Sequence, residues 1–213
     1  MTARISAGRD DIDRWRRYWD KHAPQYDRQM RFFERVLFGD SRLWVCSQAR
    51  GDVLEVAIGT GRNLQFYPQG VRLTGIDLSP AMLNIARGRA RELGREVELR
   101  EGDAQTLPFP DGSFDTVVCT LSLCSIPDDR RALSEMRRVL RPGGRLLLVD
   151  HVASSSRLLR VGQWLVEQIT ARLGGEHLLR RPLQHVRAEG FEIELQERFK
   201  MGVVERLVAR RPA

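Results

Sequence analysis

Between Gly51 and His151 the chain alternates short apolar stretches with longer amphipathic ones, and this rhythm limits the fold more than any other feature. The candidate strands are Asp52–Ala57, Arg72–Asp77, Val97–Arg100, Phe114–Thr120 and Arg145–His151. Most are rich in Val, Leu or Ile, as strands covered on both faces require. Helices are predicted between them. Pro80–Leu93 opens with Ser79 as N-cap and Pro80 at the first helical position. Asp128–Leu140 stops before Pro142-Gly143-Gly144. Such alternation predicts an α/β, doubly wound, mainly parallel sheet. Two further strands, Phe191–Phe199 and Val203–Ala209, complete seven and lie close enough in sequence to form an antiparallel hairpin.

The first fifty residues read as helices. Ile12, Trp15, Tyr18 and Trp19 share one helical face, and Arg28–Phe38 forms a second stretch with Met30, Phe33 and Leu37 on one side. A third helix runs from Ser41 to Ala49. Downstream of the fifth strand come a long amphipathic helix over roughly Ser155–Leu173 and a short one near Pro182–Glu189. The organisation expected is an N-terminal helical lid over 1–50 and one nucleotide-binding domain over 51–213, with an insertion at about 152–190 lining an acceptor pocket.

The 213 residues suffice for one α/β domain with a substantial core. Three cysteines, Cys46, Cys119 and Cys124, form no C-x-x-C pair and no disulfide framework. The charged N-terminal stretch lacks the apolar core of a signal peptide, and no apolar run reaches ~20 residues. A cytoplasmic protein with free thiols and no resident metal is expected. Net charge is +7 and uneven: residues 1–50 carry 11 basic and 7 acidic side chains, as do residues 151–213. Basic flanks suit an anionic membrane surface, an acidic substrate or nucleic acid. Only Lys21 and Lys200 among the 35 basic residues are lysine, a skew that also follows from a GC-rich genome.

The chemistry is carried by Val53-Leu54-Glu55-Val56-Ala57-Ile58-Gly59-Thr60-Gly61-Arg62-Asn63. Its glycines permit a tight turn and close backbone approach to a ligand. A dinucleotide G-x-G-x-x-G fingerprint needs glycine where Leu64 stands, which argues against NAD or FAD. The second strand ends in Asp77, and Ser79 is the better helix cap, which leaves Asp77 for a pair of ribose hydroxyls. The third strand ends in Glu101-Gly102-Asp103-Ala104. Asp103 is placed either to accept from an adenine amino group or to make a turn.

Together, the segments YWDKHAPQYD, LEVAIGTG, GIDLSPAMLNIAR, EGDAQTLPFPDGSFDTVVC and RVLRPGGRLLLVD resemble the class I S-adenosylmethionine-dependent methyltransferases, in the branch of the ubiquinone-biosynthesis-type enzymes. The resemblance implies a Rossmann-like methyltransferase fold and S-adenosylmethionine as cofactor. It implies that Glu55, Gly59 and Gly61 belong to the loop against the methionine part, with Ala57, Thr60 and Asn63 beside them. Asp77 would hold the ribose and Asp103 the adenine, between Leu78, Met82 and Ala104. Thr120 and Leu121 would lie under the methionine moiety. Ala57 departs from the family pattern, which has a third glycine there.

The stretch VVCTLSLCSI, with Asn63–Pro68 and Asp150-His151-Val152, is similar to the microsomal thiol methyltransferase-like group. Bacterial phosphatidylethanolamine N-methyltransferases share the general layout. The resemblance implies methyl transfer to a small, rather apolar acceptor. A thiol is the first reading, with a phospholipid amine or a quinone or phenol as alternatives. A non-catalytic cofactor-binding module is the reading from another class. Nucleic acid is disfavoured because Cys119-Thr120-Leu121-Ser122 stands where an Asn-Pro-Pro-Tyr-type tetrapeptide is expected.

His151, after the fifth strand, either orients or deprotonates an acceptor or bonds the following loop. Tyr26 matches a tyrosine that closes over the cofactor in related enzymes, and otherwise is a packing aromatic. Cys124 is either a pocket residue or a small buried hydrophobe, Cys119 belongs to the core, and His177 lies on the insertion. Trp15, Tyr18, Trp19, Phe32 and Phe33 form either an apolar lid or a membrane-facing surface, with Arg14, Arg16 and Arg17 among them facing anionic headgroups or solvent.

Overall fold

In the computed structural model the described residues are 9–173 and 175–213; residues 1–8 and Gly174, which belong to the expected lid and insertion, lie outside them. Seven strands form one sheet in the order β3-β2-β1-β4-β5-β7-β6. They are β1 (Asp52–Val56), β2 (Arg72–Asp77), β3 (Glu98–Glu101), β4 (Phe114–Thr120), β5 (Leu140–His151), β6 (Glu192–Phe199) and β7 (Val204–Arg210). The first five pair in parallel. β7 runs antiparallel to both β5 and β6. This is the doubly wound, mainly parallel sheet with an antiparallel C-terminal hairpin.

Side chains alternate across the central strands, as a period of two requires. Leu54, Val56, Val117, Leu146 and Leu148 pack on one face with Leu133 and Met136 of α4 (Asp129–Val139) and Val186 of α6 (Pro182–Ala188). Val53, Val118, Leu147 and Val149 pack on the other with Val45 of α2 (Ser41–Cys46) and Leu83 of α3 (Pro80–Glu92). The two edge strands, β3 and β6, lack this double cover; β6 is the longer. It is mostly exposed and carries Glu192, Glu194, Glu197 and Arg198, charges that blunt a sheet edge against pairing with another chain.

Two local expectations are corrected. The first two N-terminal stretches are one helix, α1 (Arg9–Phe33), which runs on into a π-helical turn at Glu34–Phe38. Pro24 lies inside α1. A proline there costs about 3 kcal/mol through its missing N–H and its clash with the preceding turn. Tertiary bonds from Asp20 and Asp27, on either side of Pro24, hold the helix against the sheet and offset that cost. The second correction concerns Pro142-Gly143-Gly144. The segment does end α4, but it is an irregularity inside β5, which begins at Leu140 rather than Arg145. Gly143 adopts φ +77 and its N–H donates to Arg211 O, so the bulge is tied to the C-terminal segment.

The strand order reverses between β1 and β4, and a crevice opens there at the C-terminal ends of the strands. α1 lies over that crevice. No described helix is long and apolar enough to cross a membrane.

Candidate active site

The crevice is a cleft of about 730 Å³ including its open mouth. That is the size range of small-molecule and cofactor sites. Its floor comes from the loops after β1 to β4: Ala57 and Gly59, then Asp77, Leu78 and Met82, then Gly102 to Gln105, then Leu121 and Ser122. Its roof is α1, through Ile12, Trp15, Trp19 and Tyr26.

The loop after β1 turns through left-handed backbone. Gly59 has φ +58, and a Cβ built on it meets nothing within 4 Å, so the backbone faces open cleft. Ala57 has φ +54. Non-glycine residues pay about 1–2 kcal/mol for that region. This is the physical reason why glycine is the better residue at the position where the chain departs from the family pattern. Leu121 also has φ +54, an outlier for a branched residue that lines the cleft.

Asp77 ends β2 with its carboxylate held by two backbone donors, Gly59 N at 2.7 Å and Ser79 N at 2.9 Å. Burial pushes its pKa up to about 6, against the pull of those two bonds. Ser79 caps α3 by accepting from Met82 N, as expected. Asp103 accepts from Gln105 N at 2.9 Å and from the Gln105 side chain. The cleft thus offers carboxylates from two strand ends, an apolar slot of Leu78, Met82 and Ala104 between them, and an uncovered glycine backbone. A nucleoside with a charged tail fits that set. Asp77 suits the ribose hydroxyls, Asp103 the base edge and Gly59 the tail.

Glu55, Asn63 and Thr120 lie together but behind this surface and do not line it. Asn63 Nδ2 donates to Glu55 Oε1 at 2.8 Å and to Thr120 Oγ1 at 2.5 Å, and Tyr67 OH donates to Glu55 Oε2 at 2.9 Å. Burial pushes Glu55 up to about 7, against the Tyr67, Arg42 and Asn63 contacts that lower it. The trio braces the loop from β1 to β4. Gly61 is likewise structural: a Cβ there meets Leu64 at 2.8 Å and Ala86 at 3.2 Å. Thr60 donates to Asp27 of α1 at 2.6 Å.

That last contact belongs to a network which the sequence reading missed. Asp27 also pairs with Arg89 and Arg62, and Glu34 pairs with Arg62 and Arg42. Burial pushes Asp27 and Glu34 up, but the hydroxyl and guanidinium partners outweigh it and hold both below the ordinary carboxylate range. At the other end of the cleft Asp20 accepts from Ser79 Oγ at 2.5 Å and Ala81 N at 3.1 Å. The roof is therefore bolted to the segments after β1 and β2 on both flanks of Pro24. The only sequence signal was the placement of Asp20 and Asp27 seven residues apart on one helix, two turns and hence one face.

Tyr26 lines the cleft edge-to-face with Trp19, and burial pushes its phenol up to about 12. It keeps its proton near neutrality. Trp15 and Trp19 face the cleft, whereas Tyr18 stacks on His22. Phe32 and Phe33 are exposed. Arg16 pairs with Glu101, and Arg14 sits over the Trp15 ring.

His151 is not in the cleft wall. Its Nδ1 is shielded from solvent and has no hydrogen-bond partner among the described residues. Its ring, the Cys124 thiol and the Asp150 carboxylate lie within 4.8 Å of one another. Asp150 accepts from His151 N and Cys124 N, and burial pushes both the Cys124 thiol and the Asp150 carboxyl up. That favours their protonated forms, the reverse of what a metal ligand needs. Cys119 is core. His177 lies on the insertion beside Glu167.

Residues 54–148 match the family described as a methyltransferase domain. Over 105 residues the chain is 48% identical to the phosphatidylethanolamine N-methyltransferase of Cereibacter sphaeroides, covering 48% of this chain and 52% of that protein. It is 40% identical over 135 residues to the thiol S-methyltransferase TMT1B of Homo sapiens, covering 61% and 54%. The chain spans about half the length of these curated relatives. A solved SAM-dependent methyltransferase from Thermotoga maritima superposes with a TM-score of 0.69 over 92% of this chain and 99% of that one, at 22% identity, a likeness of fold. Residues 54–148 of the chain therefore form a methyltransferase domain, on the Rossmann-like fold of the S-adenosylmethionine-dependent methyltransferases it resembles.

Proposed function

We propose that the protein transfers a methyl group from S-adenosylmethionine to a small, rather apolar thiol. The observation that carries this reading is the character of the cleft wall away from Asp77 and Asp103. Ile12, Trp15, Trp19, Leu121, Ser122, Ser125 and Ile126 line it, and the one titratable group there among the described residues is Tyr26, which burial pushes up to about 12. A wall of that kind supplies no general base at neutral pH. A thiol needs the least help, because a modest shift of its own pKa yields the nucleophilic thiolate.

Bound S-adenosylmethionine supplies a methyl group already activated by a positive sulfur. The chain's own residues then have three tasks. Asp77, Asp103 and the Gly59 backbone hold the nucleoside and its tail. Trp15, Trp19 and Tyr26 exclude water from the transfer path. Leu121 and Ile126 offer an apolar wall against which an acceptor is oriented, and positioning is the main source of rate in such a displacement.

A second reading is N-methylation of a phospholipid amine, favoured by the 48% identity to the Cereibacter sphaeroides protein of that name. Quinol or phenol methylation calls for a base, and His151, the candidate for that part, is outside the cleft wall. Release of demethylated cofactor, measured across thiols, amines, phospholipids and quinols, separates these. Turnover with thiols well above the rest supports the proposal. Turnover only with a phospholipid amine or a quinol overturns the thiol assignment. Cofactor binding without turnover on any of them makes the chain a binding module.

A further inference from the structure

The helix α5 (Arg157–Leu173) is folded with its polar side inward and its apolar side outward. Gln163, Glu167 and Thr170, at spacings of four and three, face the body of the protein. Gln163 accepts from Ser154 N at 2.8 Å and donates to Val152 O at 3.0 Å; Glu167 accepts from Leu179 N at 2.8 Å; Thr170 donates to Glu176 O at 3.0 Å. Leu158, Val161, Leu165 and Ile169 form the opposite stripe, flanked by Leu159, Trp164 and Val166, and all seven are exposed. Leu158 is 82% exposed and Ile169 61%. A water-facing helix ordinarily has the reverse arrangement. A contiguous apolar stripe of about 17 Å, from the rise of about 1.5 Å per residue of a helix, marks an interaction surface.

The rim of this stripe says what covers it. Glu167 is the one acid of α5 among the described residues, and it is turned inward. Arg157 and Arg160 lie in the first turn of α5, at the N-terminal end of the stripe. The Lys200-Met201-Gly202 turn is tied to the residues just before α5, where its Met201 carbonyl accepts from Ser154 Oγ at 2.7 Å and Ser155 Oγ at 2.9 Å. Met201 itself is 64% exposed and extends the apolar surface. An apolar face with a cationic rim complements an anionic phospholipid surface, where the stripe enters the acyl boundary and the cations meet headgroup phosphates. A second copy of this chain, with net charge +7, would bring cations rather than anions to that rim.

We propose that α5, with the Lys200–Met201 turn, is a membrane-docking surface that lies in the plane of an anionic bilayer. The proposal is independent of which acceptor the cleft takes. The test is sedimentation of the full chain with vesicles of phosphatidylglycerol and phosphatidylcholine, against vesicles of phosphatidylcholine alone. Wild type binds the anionic vesicles, and binding falls with added salt. The variant Leu165→Glu/Ile169→Glu, altered at exposed positions, keeps its thermal unfolding profile and loses at least tenfold in partitioning. Arg157→Gln/Arg160→Gln retains the stripe, binds about fivefold more weakly per cation removed and depends less on salt. Absence of wild-type binding overturns the proposal, as does undiminished binding by the double-glutamate variant. A stable dimer by light scattering that this variant dissolves, with no vesicle binding, would assign the stripe to a second copy instead.

Discussion

Asp27, about three quarters of the way along the roof helix, accepts a 2.6 Å hydrogen bond from the hydroxyl of Thr60 in the glycine loop. One bond thereby joins the element that covers the cleft to the element that forms its floor. Arg89 and Arg62 close the arrangement around the same carboxylate. Roof and floor of the cleft are therefore coupled: whatever loosens the roof exposes the loop.

Replacement of Asp27 by alanine removes this bolt and leaves Arg89 without its carboxylate. Loss of a charge-assisted, half-buried bond costs on the order of 1–3 kcal/mol. Calorimetric affinity for S-adenosylmethionine is expected to fall by about tenfold, with faster amide exchange in α1. Unchanged affinity and exchange would show that the roof is held by apolar packing alone.

The Asp77 carboxylate is expected to set the pH dependence of cofactor binding. Its folded pKa, about 6, lies above the ordinary aspartate value because burial disfavours the charge. The ionised form accepts hydrogen bonds, so affinity falls as pH drops through about 6, by nearly tenfold per unit well below it. Stability runs the other way. A raised acid pKa means that the folded state binds the proton more tightly than the unfolded one, so stability is lost as pH rises from about 4 to 6. Asp77→Asn should remove the acid limb of the binding profile and weaken binding throughout; an unchanged titration curve would refute the assignment.

Ala57 carries strain which glycine would relieve. Ala57→Gly removes the cost of φ +54 but adds freedom to the unfolded chain. The balance is a stabilisation of about 0.5–1 kcal/mol. Ala57→Val, a branched residue in the same backbone, should destabilise by more than Gly stabilises. Thermal unfolding of the pair is the check, and the prediction fails if both shift in one direction.

His151 is expected to matter according to the acceptor. Since it is outside the cleft wall, His151→Ala should leave thiol methylation within about threefold of wild type, a change of well under 1 kcal/mol in barrier. If it serves as a base through a rearrangement on binding, transfer to a phenol or amine falls by 10²-fold or more, the scale of general-base catalysis. Equal losses on all acceptors would exclude that role.

Local patterning by itself determined most of the sheet and the Asp77–Asp103 side of the cleft. β2 and β4 begin and end at Arg72, Asp77, Phe114 and Thr120, as their apolar runs predict, because a strand buried on both faces must be apolar along its length. The placement of Asp77, Leu78, Met82, Asp103 and Ala104 in one cleft follows from the same regularity, since every parallel strand delivers its C-terminal loop to the same edge. Tertiary structure alone decided the rest. Glu55, Asn63 and Thr120 belong to a brace rather than to the cleft wall, because side-chain direction at the sheet edge depends on neighbouring strands. Pro24 stays inside a continuous helix because Asp20 and Asp27 reach partners about sixty and thirty residues away. The two faces of α5 were legible as an amphipathic pattern, but periodicity carries no direction. Which side meets the protein was settled by Gln163 and Glu167 finding backbone partners there, leaving the leucines outward.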